Sequence, residues 1–394
     1  MTKCLEGLRV VDVTQVMAGP FCAMQLADLG ADVIKVEPPG GDSTRQMPGA
    51  IGGDSPAFNA VNRGKRSIVV NLKSEQGRGV LERLAQPSDI LIENYRPGVM
   101  DGLGLGYEAM HARNPRLIYA SISGYGQTGP KREHGGFDLI AQGVSGIMSI
   151  TGQPGSAPVK AGIPVTDLGA GLFALVGILA ALEHRHRSGV GQHVDTSLLD
   201  AGVALSVWEA TEYFSGSGIP AALGSAHRMT APYQAIQCAD GYITLGAAND
   251  RTFRRLCAVL DRNDWLRSRP FGDNASRVRN RDELASQIES ITREQPRSHW
   301  LALFEANDIP CGPINNYEQV FADPQVQARG LVVETEHPTL GRLKTLGSPI
   351  KLSETPPMVT RRSPSLGEHT TEILADAGFT ESEIERLRHD GAVS

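Results

Sequence analysis

The chain has 394 residues, more than one hydrophobic core usually holds, so its length predicts two domains. With 40% hydrophobic and 21% charged residues, the composition is that of an ordinary soluble globular protein. A formal net charge of −6 without a long basic block argues against a protein that binds nucleic acid.

Several features indicate a cytoplasmic protein that neither enters a membrane nor needs a metal. The N-terminal residues lack the length and cleavage site of a secretory signal. The longest apolar run, 169–182, is too short to span a bilayer. The five cysteines are scattered, which fits reduced thiols. His184 and His186 point different ways on a helix, so they predict no metal site.

Short β-branched segments alternate with helical segments through the first half of the chain. The predicted strands cover residues 8–13, 33–36, 67–72, 90–93 and 117–122. The predicted helices cover 20–29 and 75–85. This alternation predicts parallel strands joined by crossover helices, and therefore an α/β fold whose large domain has a Rossmann-like sheet.

The ends of these predicted strands carry the residues from which a binding site is made. Ligands of parallel sheets bind at the carboxyl ends of the strands. Small residues, amides, aromatic groups and cations collect there, in the stretches 14–20, 37–42, 94–98 and 124–126 and at Lys73. Glycine and proline also serve simply to end strands, so one such loop means little. Several converging loops fit a large phosphorylated nucleotide.

The stretch 160–188 places Asp167 directly before the most apolar run of the protein. Leucines at spacings of three and four predict a buried helix, which Gly189 ends. Asp167 then has two interpretations. Aspartate is a preferred N-cap residue. A carboxylate at a helix N-terminus, flanked by Gly162, Gly169 and Gly171, is also an accessible nucleophile.

The second half of the chain has a different texture. A hairpin is predicted over 233–245, with Asp240 and Gly241 as its turn, and helices follow over 252–260, 281–292 and 298–307. The predicted organisation is a large domain over 1–221, a small α+β domain over 222–327, and a segment over 328–394 that returns to the large domain and ends in a helix over 381–389.

Taken together, six stretches resemble the family III coenzyme A transferases, the group typified by formyl-CoA transferase. They are LEGLRVVDVTQVMAGPFCAMQLADLGADVIKVEPPGGDSTR, NRGKRSIVVNLKSEQG, ENYRPGVMDGLGLGYE, SISGYGQTGP, PVTDLGAGLFALVGILAAL and GEHTTEIL. The resemblance runs almost from end to end. It implies an interlocked homodimer, each subunit having a large nucleotide-binding-like domain and a small one. It also implies an acyl-CoA substrate.

Carried over by this resemblance, Asp167 falls on the family's catalytic aspartate. Its carboxylate would attack a thioester, giving an aspartyl anhydride and then an aspartyl-CoA thioester, without a metal. Backbone amides near Met17 and Ala18 are candidates for stabilising the oxyanions. The family's positions around CoA fall on Val16, Met17, Ala18, Lys73, Asn94, Tyr95 and Arg96.

Some positions depart from the family's pattern and narrow the substrate. Met17 stands where formyl-CoA transferase has glutamine, and Gly102 where it has arginine, which argues against formyl-CoA and oxalate. Related 2-methylacyl-CoA racemases have a histidine where Phe137 precedes Asp138. Asp138 alone cannot supply their acid–base pair, so a racemase-type isomerase is the alternative function.

Segments of the second half, such as GSAHRMTAPYQA and CGPINNYEQVFADPQVQARGLV, resemble the branch that moves CoA between succinyl-CoA and short dicarboxylic acids. Itaconate is the favoured acceptor, with hydroxymethylglutarate, glutarate, mesaconate and citramalate also open. His227 and Arg228 are candidates for holding the carboxylate that does not react. The alternative is a structural histidine and a surface arginine.

Overall fold

The computed structural model describes residues 3–50, 55–338 and 341–394. The chain divides into two compact units. The first comprises the chain up to Ile147 together with Lys160–Gly216 and Pro324–Ser394, and the second comprises Met148–Val159 and Ser217–Asp323. The predicted domain bounds are therefore wrong for 217–221 and 324–327, each of which falls in the other unit, and for 148–159. That segment belongs to the second unit because its backbone bonds there, with the Gly152 carbonyl accepting the Gly224 amide.

The strands are named in chain order. They are β1 (Arg9–Asp12), β2 (Asp32–Glu37), β3 (Arg66–Val69), β4 (Ile90–Glu93), β5 (Ile118–Ser123), β6 (His193–Ser197), β7 (Tyr233–Cys238), β8 (Gly241–Gly246), β9 (Cys311–Pro313), β10 (Val332–His337) and β11 (Gly341–Leu346).

The helices are named in the same way. They are α1 (Ala18–Asp28), α2 (Pro56–Asn62), α3 (Glu75–Ala85), α4 (Val99–Gly102), α5 (Tyr107–Arg113), α6 (Asp138–Val144), α7 (Ile147–Ile150), α8 (Val165–Ser188), α9 (Leu198–Leu205), α10 (Val207–Phe214), α11 (Asp250–Val259), α12 (Asn274–Arg279), α13 (Arg281–Thr292), α14 (Arg297–Ala306), α15 (Tyr317–Ala322), α16 (Pro324–Ala328), α17 (Thr370–Asp376) and α18 (Glu381–His389).

The first unit is built on a parallel sheet with the strand order β3–β2–β1–β4–β5–β6. This is the order of dinucleotide-binding sheets, in which the direction of winding reverses between β1 and β4. The predicted Rossmann-like sheet is therefore confirmed. The sequence analysis missed β6, because this edge strand is polar and only half-buried and so lacks the apolar run of the others.

Helices cover both faces of this sheet. On one face, α1 and α8 pack on Val10, Ile92 and Ile122, among others. On the other face, α3, α17 and α18 pack on residues that include Val11 and Ile34. Because side chains alternate along a strand, neighbours such as Val10 and Val11 serve opposite cores. Strands buried on both sides explain why the sequence reads as short continuous apolar runs.

The long helix α8 differs from the prediction in two ways. It spans 24 residues, longer than the apolar run 169–182, and by length and composition alone it is apolar enough to cross a membrane. Half of its most apolar window is nevertheless buried in the protein, as in the core helix of a soluble protein. The prediction of a fully buried helix is also wrong, since Leu172, Phe173, Val176 and Leu179 are exposed on one face.

The second unit contains an antiparallel sheet in the order β7–β8–β9. Its core includes Ile236 and Ile243 of the sheet and Phe304 of α14. In the predicted hairpin, Cys238 pairs with Gly241. The turn is therefore formed by residues 239 and 240 rather than by Asp240 and Gly241, because Gly241 is already the first residue of β8.

Candidate active site

A cavity of about 430 Å³ lies in the first unit at the carboxyl ends of β1, β4 and β5. It sits where the strand order reverses, the position at which sheets of this kind bind their ligands. Its lining is made of residues 15–18, 94–97, 122–124 and 134–137, Asp167 and Leu198. Of the sequence-predicted site residues, the cavity brings together Asp167, Val16, Met17, Ala18, Asn94, Tyr95 and Arg96.

A second cavity in the same unit, of about 470 Å³, has a different character. It lies beside β10 and the segment 359–369, next to Lys65 at the amino end of β3. Charged groups of its lining pair with each other, as Arg362 and Glu368 do at 2.7 Å.

Asp167 is the third residue of α8 and does not cap it. Pro164 occupies the N-cap position, and no side chain there caps the helix. Asp138 of α6 takes over this role: its carboxylate accepts the Thr166 N–H at 3.0 Å and the Thr166 hydroxyl at 2.7 Å. Within the described part of the chain, no group donates a hydrogen bond to the Asp167 carboxylate. The N-cap interpretation of Asp167 is therefore wrong.

The electrostatic environment of Asp167 disfavours its charged form. Burial removes water from the carboxylate, and the negative charge of Asp138 adds repulsion, so together they raise the pKa of Asp167 to about 7. A carboxylate without hydrogen bonds and with a raised pKa is a stronger nucleophile than an ordinary surface aspartate once it is ionised.

We expect an Asp138→Asn variant to shift the acid limb of the kcat/KM profile to lower pH. The asparagine oxygen still accepts from Thr166, but the repulsive charge is gone, so Asp167 ionises more easily. The limb stays above pH 4 because burial is the larger cause of the raised pKa. As a control, Asp200→Asn replaces an exposed first-turn aspartate of α9 outside the cavity. An acid limb that is unchanged in Asp138→Asn would contradict the assigned coupling.

The loop between β1 and α1 lines the cavity and contains backbone N–H groups that have no acceptor among the described residues. Because helix N-termini leave amides unpaired, α1 offers those of Met17 and Ala18, which have no acceptor within the described residues. Asn94 holds Gln15, two residues before Met17: its side-chain amide accepts the Gln15 N–H at 2.8 Å and donates to the Gln15 carbonyl at 2.7 Å. Asn94 therefore positions this loop as well as lining the cavity.

The glycines of α8 serve helix packing and do not line the cavity. A Cβ on Gly171 would lie 2.6 Å from the Ala18 carbonyl oxygen of α1. A Cβ on Gly169 would approach Leu205 of α9 at 3.0 Å, whereas a Cβ on Gly162 would meet no atom within 4 Å. The sequence suggested that these glycines leave room for a ligand; this is wrong for Gly169 and Gly171, whereas the space around Gly162 is open. The small size of Gly169 and Gly171 instead lets α1 and α9 pack closely against the turn that carries Asp167.

Of the predicted site residues after β3 and β4, Tyr95 and Arg96 line the cavity and Lys73 does not. Tyr95 is half-buried and hydrogen-bonds with the Gln15 side chain, and burial raises the pKa of its phenol. Arg96 lines the cavity with an exposed side chain, next to Gly135. Lys73 lies outside the cavity, exposed after the edge strand β3. It is two strands away from β1 in the sheet order.

His227 and Arg228 belong to the second unit and do not line the cavity. The His227 ring accepts the Met229 N–H at 3.1 Å. The Arg228 guanidinium donates to the Ala221 carbonyl at 2.5 Å. Both side chains thus have structural contacts in their own unit, and their role in substrate binding stays a prediction.

The sequence analysis did not identify residues 134–136 as part of the site, and it considered Phe137 only as the counterpart of a racemase histidine. They reach the cavity because Gly124 and Gly136 cross in contact, where a Cβ on Gly136 would lie 2.5 Å from the Gly124 Cα. Only residues without side chains permit this approach. The Gly135–Gly136 pair was the signal in the sequence, but it lies far from any predicted strand end and so pointed to no site.

The fold and the cavity define a Rossmann-like protein with an accessible carboxylate at the switch point. The profile of CoA-transferase family III matches residues 5–370. A succinyl-CoA:glutarate CoA-transferase of Homo sapiens is 43% identical over 376 residues, covering 95% of this chain and 86% of that protein. A succinate–glutarate CoA-transferase of Agrobacterium fabrum is 42% identical over 380 residues, covering 94% of this chain and 95% of that protein.

A crystal structure of a CAIB/BAIF family protein from Brucella suis matches the fold with a TM-score of 0.85 and 39% identity. The match covers 96% of this chain and 100% of that one. The chain therefore belongs to CoA-transferase family III, and it is an enzyme of the CoA-transferase class.

Proposed function

We propose that this enzyme transfers CoA from succinyl-CoA to a short dicarboxylic acid, with glutarate as the first candidate acceptor and Asp167 as the nucleophile. The observation that carries the proposal is the Asp167 carboxylate, which lines the switch-point cavity without a hydrogen-bond donor from the described residues. The two relatives whose names pair succinate or succinyl-CoA with glutarate support glutarate ahead of itaconate. Itaconate, hydroxymethylglutarate and mesaconate stay in the proposal as further acceptors.

The proposed reaction exchanges acyl groups in four balanced steps. A carboxylate oxygen of Asp167 attacks the thioester carbonyl, forming a mixed anhydride and releasing CoA thiolate. The thiolate attacks the Asp167 carbonyl, giving an aspartyl-CoA thioester and free succinate. The acceptor carboxylate attacks that thioester, forming a second anhydride and releasing the thiolate again. The thiolate then attacks the acceptor's carbonyl, so the product leaves as a CoA ester and Asp167 as a carboxylate.

Each step passes through a tetrahedral oxyanion, which backbone amides stabilise well. The unpaired amides of Met17 and Ala18 at the start of α1 are our candidates for this site, since they line the same cavity as Asp167. Their partial positive charge is enhanced by the N-terminal end of the helix. No net proton transfer is needed, because both acids enter and leave ionised.

The proposal also assigns contacts to the part of CoA beyond its reactive end. A cavity of about 430 Å³ is within the range for small-molecule sites but accommodates only the reactive end of an acyl-CoA. Arg96 at its edge and Lys73 beyond it would then meet the phosphate-bearing part. His227 and Arg228 are retained for the non-reacting carboxylate of the dicarboxylic acid.

An acceptor panel read by mass spectrometry tests this function. With succinyl-CoA as donor we expect glutaryl-CoA as the main product among glutarate, itaconate, hydroxymethylglutarate and mesaconate. Pentanoate, which matches glutarate in length but lacks its second carboxylate, is the control. Its rate of CoA transfer should be at least about tenfold lower, because the polar groups that bind the second carboxylate would be left unpaired. Equal use of pentanoate would contradict dicarboxylate specificity. α-Proton exchange in deuterated water without any acceptor would instead indicate an isomerase.

We further propose that two identical chains assemble in the interlocked manner that the family resemblance implies, in the cytoplasm. The support is that large apolar side chains are exposed on two helices, among them Val176 of α8 at 62%, Trp208 of α10 at 59% and Phe214 of α10 at 80%. A second chain would cover these side chains. A sedimentation mass equal to the single chain's 42.2 kDa would contradict the dimer.

A further inference from the structure

A buried ion pair holds the loop that precedes Met17 and Ala18, two residues of the cavity lining. Lys35 of β2 is fully buried, and its ammonium donates to the Thr14 carbonyl at 2.6 Å and to the Asp42 carboxylate at 3.0 Å. Asp42 in turn accepts the Val16 N–H at 3.3 Å. One ion pair therefore binds the backbone on both sides of Gln15.

Two further side chains complete the set of contacts. Asp12 accepts the Thr14 N–H at 2.9 Å and is itself paired with Lys65 at 2.8 Å. Asn94 binds both backbone groups of Gln15. Every backbone N–H and carbonyl from the Thr14 N–H to the Val16 N–H thus has a side-chain partner. We call Asp12, Lys35, Asp42 and Asn94 the loop clamp.

The charged members of the loop clamp stabilise each other's ionised forms. Burial disfavours the charge of Lys35, but the carboxylates of Asp12 and Asp42 outweigh it and raise the pKa of the ammonium. Burial likewise opposes ionisation of Asp42, but Lys35 outweighs it and holds the pKa of that carboxyl below its usual range. The pair is therefore ionised at neutral pH, and it makes charge-assisted hydrogen bonds to the loop.

The backbone conformation of the loop requires such support. Val16 has a φ of 70°, in the left-handed region that a β-branched side chain rarely adopts. Strained residues of this kind persist where the surroundings over-determine them, and they cluster at functional sites. The next two residues, Met17 and Ala18, line the cavity, and their backbone amides have no acceptor within the described residues. The direction of these amides follows from the turn that Val16 makes.

We propose that Lys35 and Asp42 are positioning residues of the reaction, which fix Val16 in its left-handed conformation so that the Met17 and Ala18 amides face the oxyanion. The inference rests on the proposed function, because it gives those amides their task. Neither residue lines the cavity, so neither acts on substrate directly. Their effect reaches the reaction only through the loop.

The test compares two double variants that each remove one buried ion pair. Lys35→Met/Asp42→Asn removes the pair of the loop clamp. Arg63→Met/Asp28→Asn is the matched control, because that pair is equally buried, at 2.6 Å, and Asp28 ends the same helix α1 whose first turn faces the cavity. Removing both partners avoids an uncompensated buried charge. Thermal unfolding is measured for both, and the kinetics are recorded well below either midpoint.

We expect kcat of the loop-clamp variant to fall by about 10- to 100-fold, since a donor displaced by about 1 Å loses most of its effect on the transition state. KM for succinyl-CoA should change by less than about threefold, because the ground state does not use these donors. The control should keep the wild-type kcat. An equal fall in both variants, or a wild-type kcat in the loop-clamp variant, would overturn the inference.

A single Asp42→Asn variant covers the case in which the double variant does not fold. The side-chain oxygen of the new asparagine still accepts from the Val16 N–H, so we expect a folded protein with a smaller fall in kcat. Lys35→Arg keeps the charge and the donors, and it should retain more activity than Lys35→Met. A wild-type kcat in a folded Asp42→Asn variant would overturn this inference and leave the proposed function in place. A wild-type enzyme that transfers CoA to none of the acids would overturn the proposed function and this inference with it.

Discussion

An Asp167→Asn variant is expected to lose CoA transfer by at least about a thousandfold, the scale of loss when a covalent nucleophile is removed. The amide has nearly the same shape as the carboxylate but cannot attack a thioester. No described group donates a hydrogen bond to Asp167, so the substitution breaks no hydrogen bond within the described part of the chain. The loss therefore reports the chemistry rather than a collapsed site.

Trapping the intermediate makes this prediction specific. After incubation with succinyl-CoA, hydroxylamine or borohydride should modify the wild-type protein at Asp167, and peptide mass spectrometry should locate the adduct. Asp167→Asn should give none, while Asp200→Asn, whose carboxylate is exposed and outside the cavity, should give the wild-type amount. An adduct at another residue, or transfer without any adduct, would rule out the proposed covalent route.

The same substitution should raise thermal stability at neutral and higher pH. The pKa of Asp167 is about 7 in the folded protein, above the 3.8 of an ordinary aspartate, so folding disfavours its ionised form. Wild-type stability should fall as the pH rises from about 4 to about 7 relative to Asp167→Asn, and the difference should then stay constant. Unfolding curves at pH 4 and pH 8 test this. A variant that is less stable than wild type at pH 8 would contradict the desolvated charge.

The second large effect is expected from Gly171→Ala. The new Cβ would lie 2.6 Å from the Ala18 carbonyl oxygen and 3.1 Å from the ring of Phe21. The carbonyl is backbone in the first turn of α1 and cannot rotate away, so α1 and α8 must separate. Because α1 carries the candidate oxyanion amides and α8 carries Asp167, we expect kcat to fall by about a hundredfold, as for reacting groups misplaced by about 1 Å.

Gly79→Ala is the matched control for this variant. Gly79 also lies inside a helix, α3, but a Cβ there would meet no atom within 4 Å. We expect it to keep full activity and to gain about 0.5–1 kcal/mol of stability from the better helix former. Steady-state kinetics and thermal unfolding of both variants give the comparison. Unchanged kcat in a folded Gly171→Ala would show that the two helices need not be this close for the reaction.

The elements with a clear periodicity were predicted well from the sequence. Helix α3, strand β4 and helix α13 begin and end at the predicted residues. Each has a local signal, such as the serine that caps α3. Strand β6 has none, because its residues are polar and its partner β5 decides its conformation.

For the site, the sequence identified the loops after β1 and β4 and the acidic residue at the start of α8. It could not decide whether Asp167 caps the helix, because the cap comes from Asp138, which lies 28 positions before Thr166, the residue that it caps. The loop clamp was likewise not visible, since Asp12, Lys35 and Asn94 come together only when β1, β2 and β4 pair. The role of the glycines was also misjudged for this reason.

The sequence by itself therefore determined the α/β class, the parallel sheet and the strand ends at which the site lies. These depend on local periodicity and on the rule that parallel sheets bind ligands at the carboxyl ends of their strands. Only the tertiary structure decided which carboxylate is engaged as a cap and which is free, and which amides have no acceptor. These properties depend on hydrogen bonds between residues distant in the chain. A local pattern cannot specify them, because a polar group's partner is set by packing.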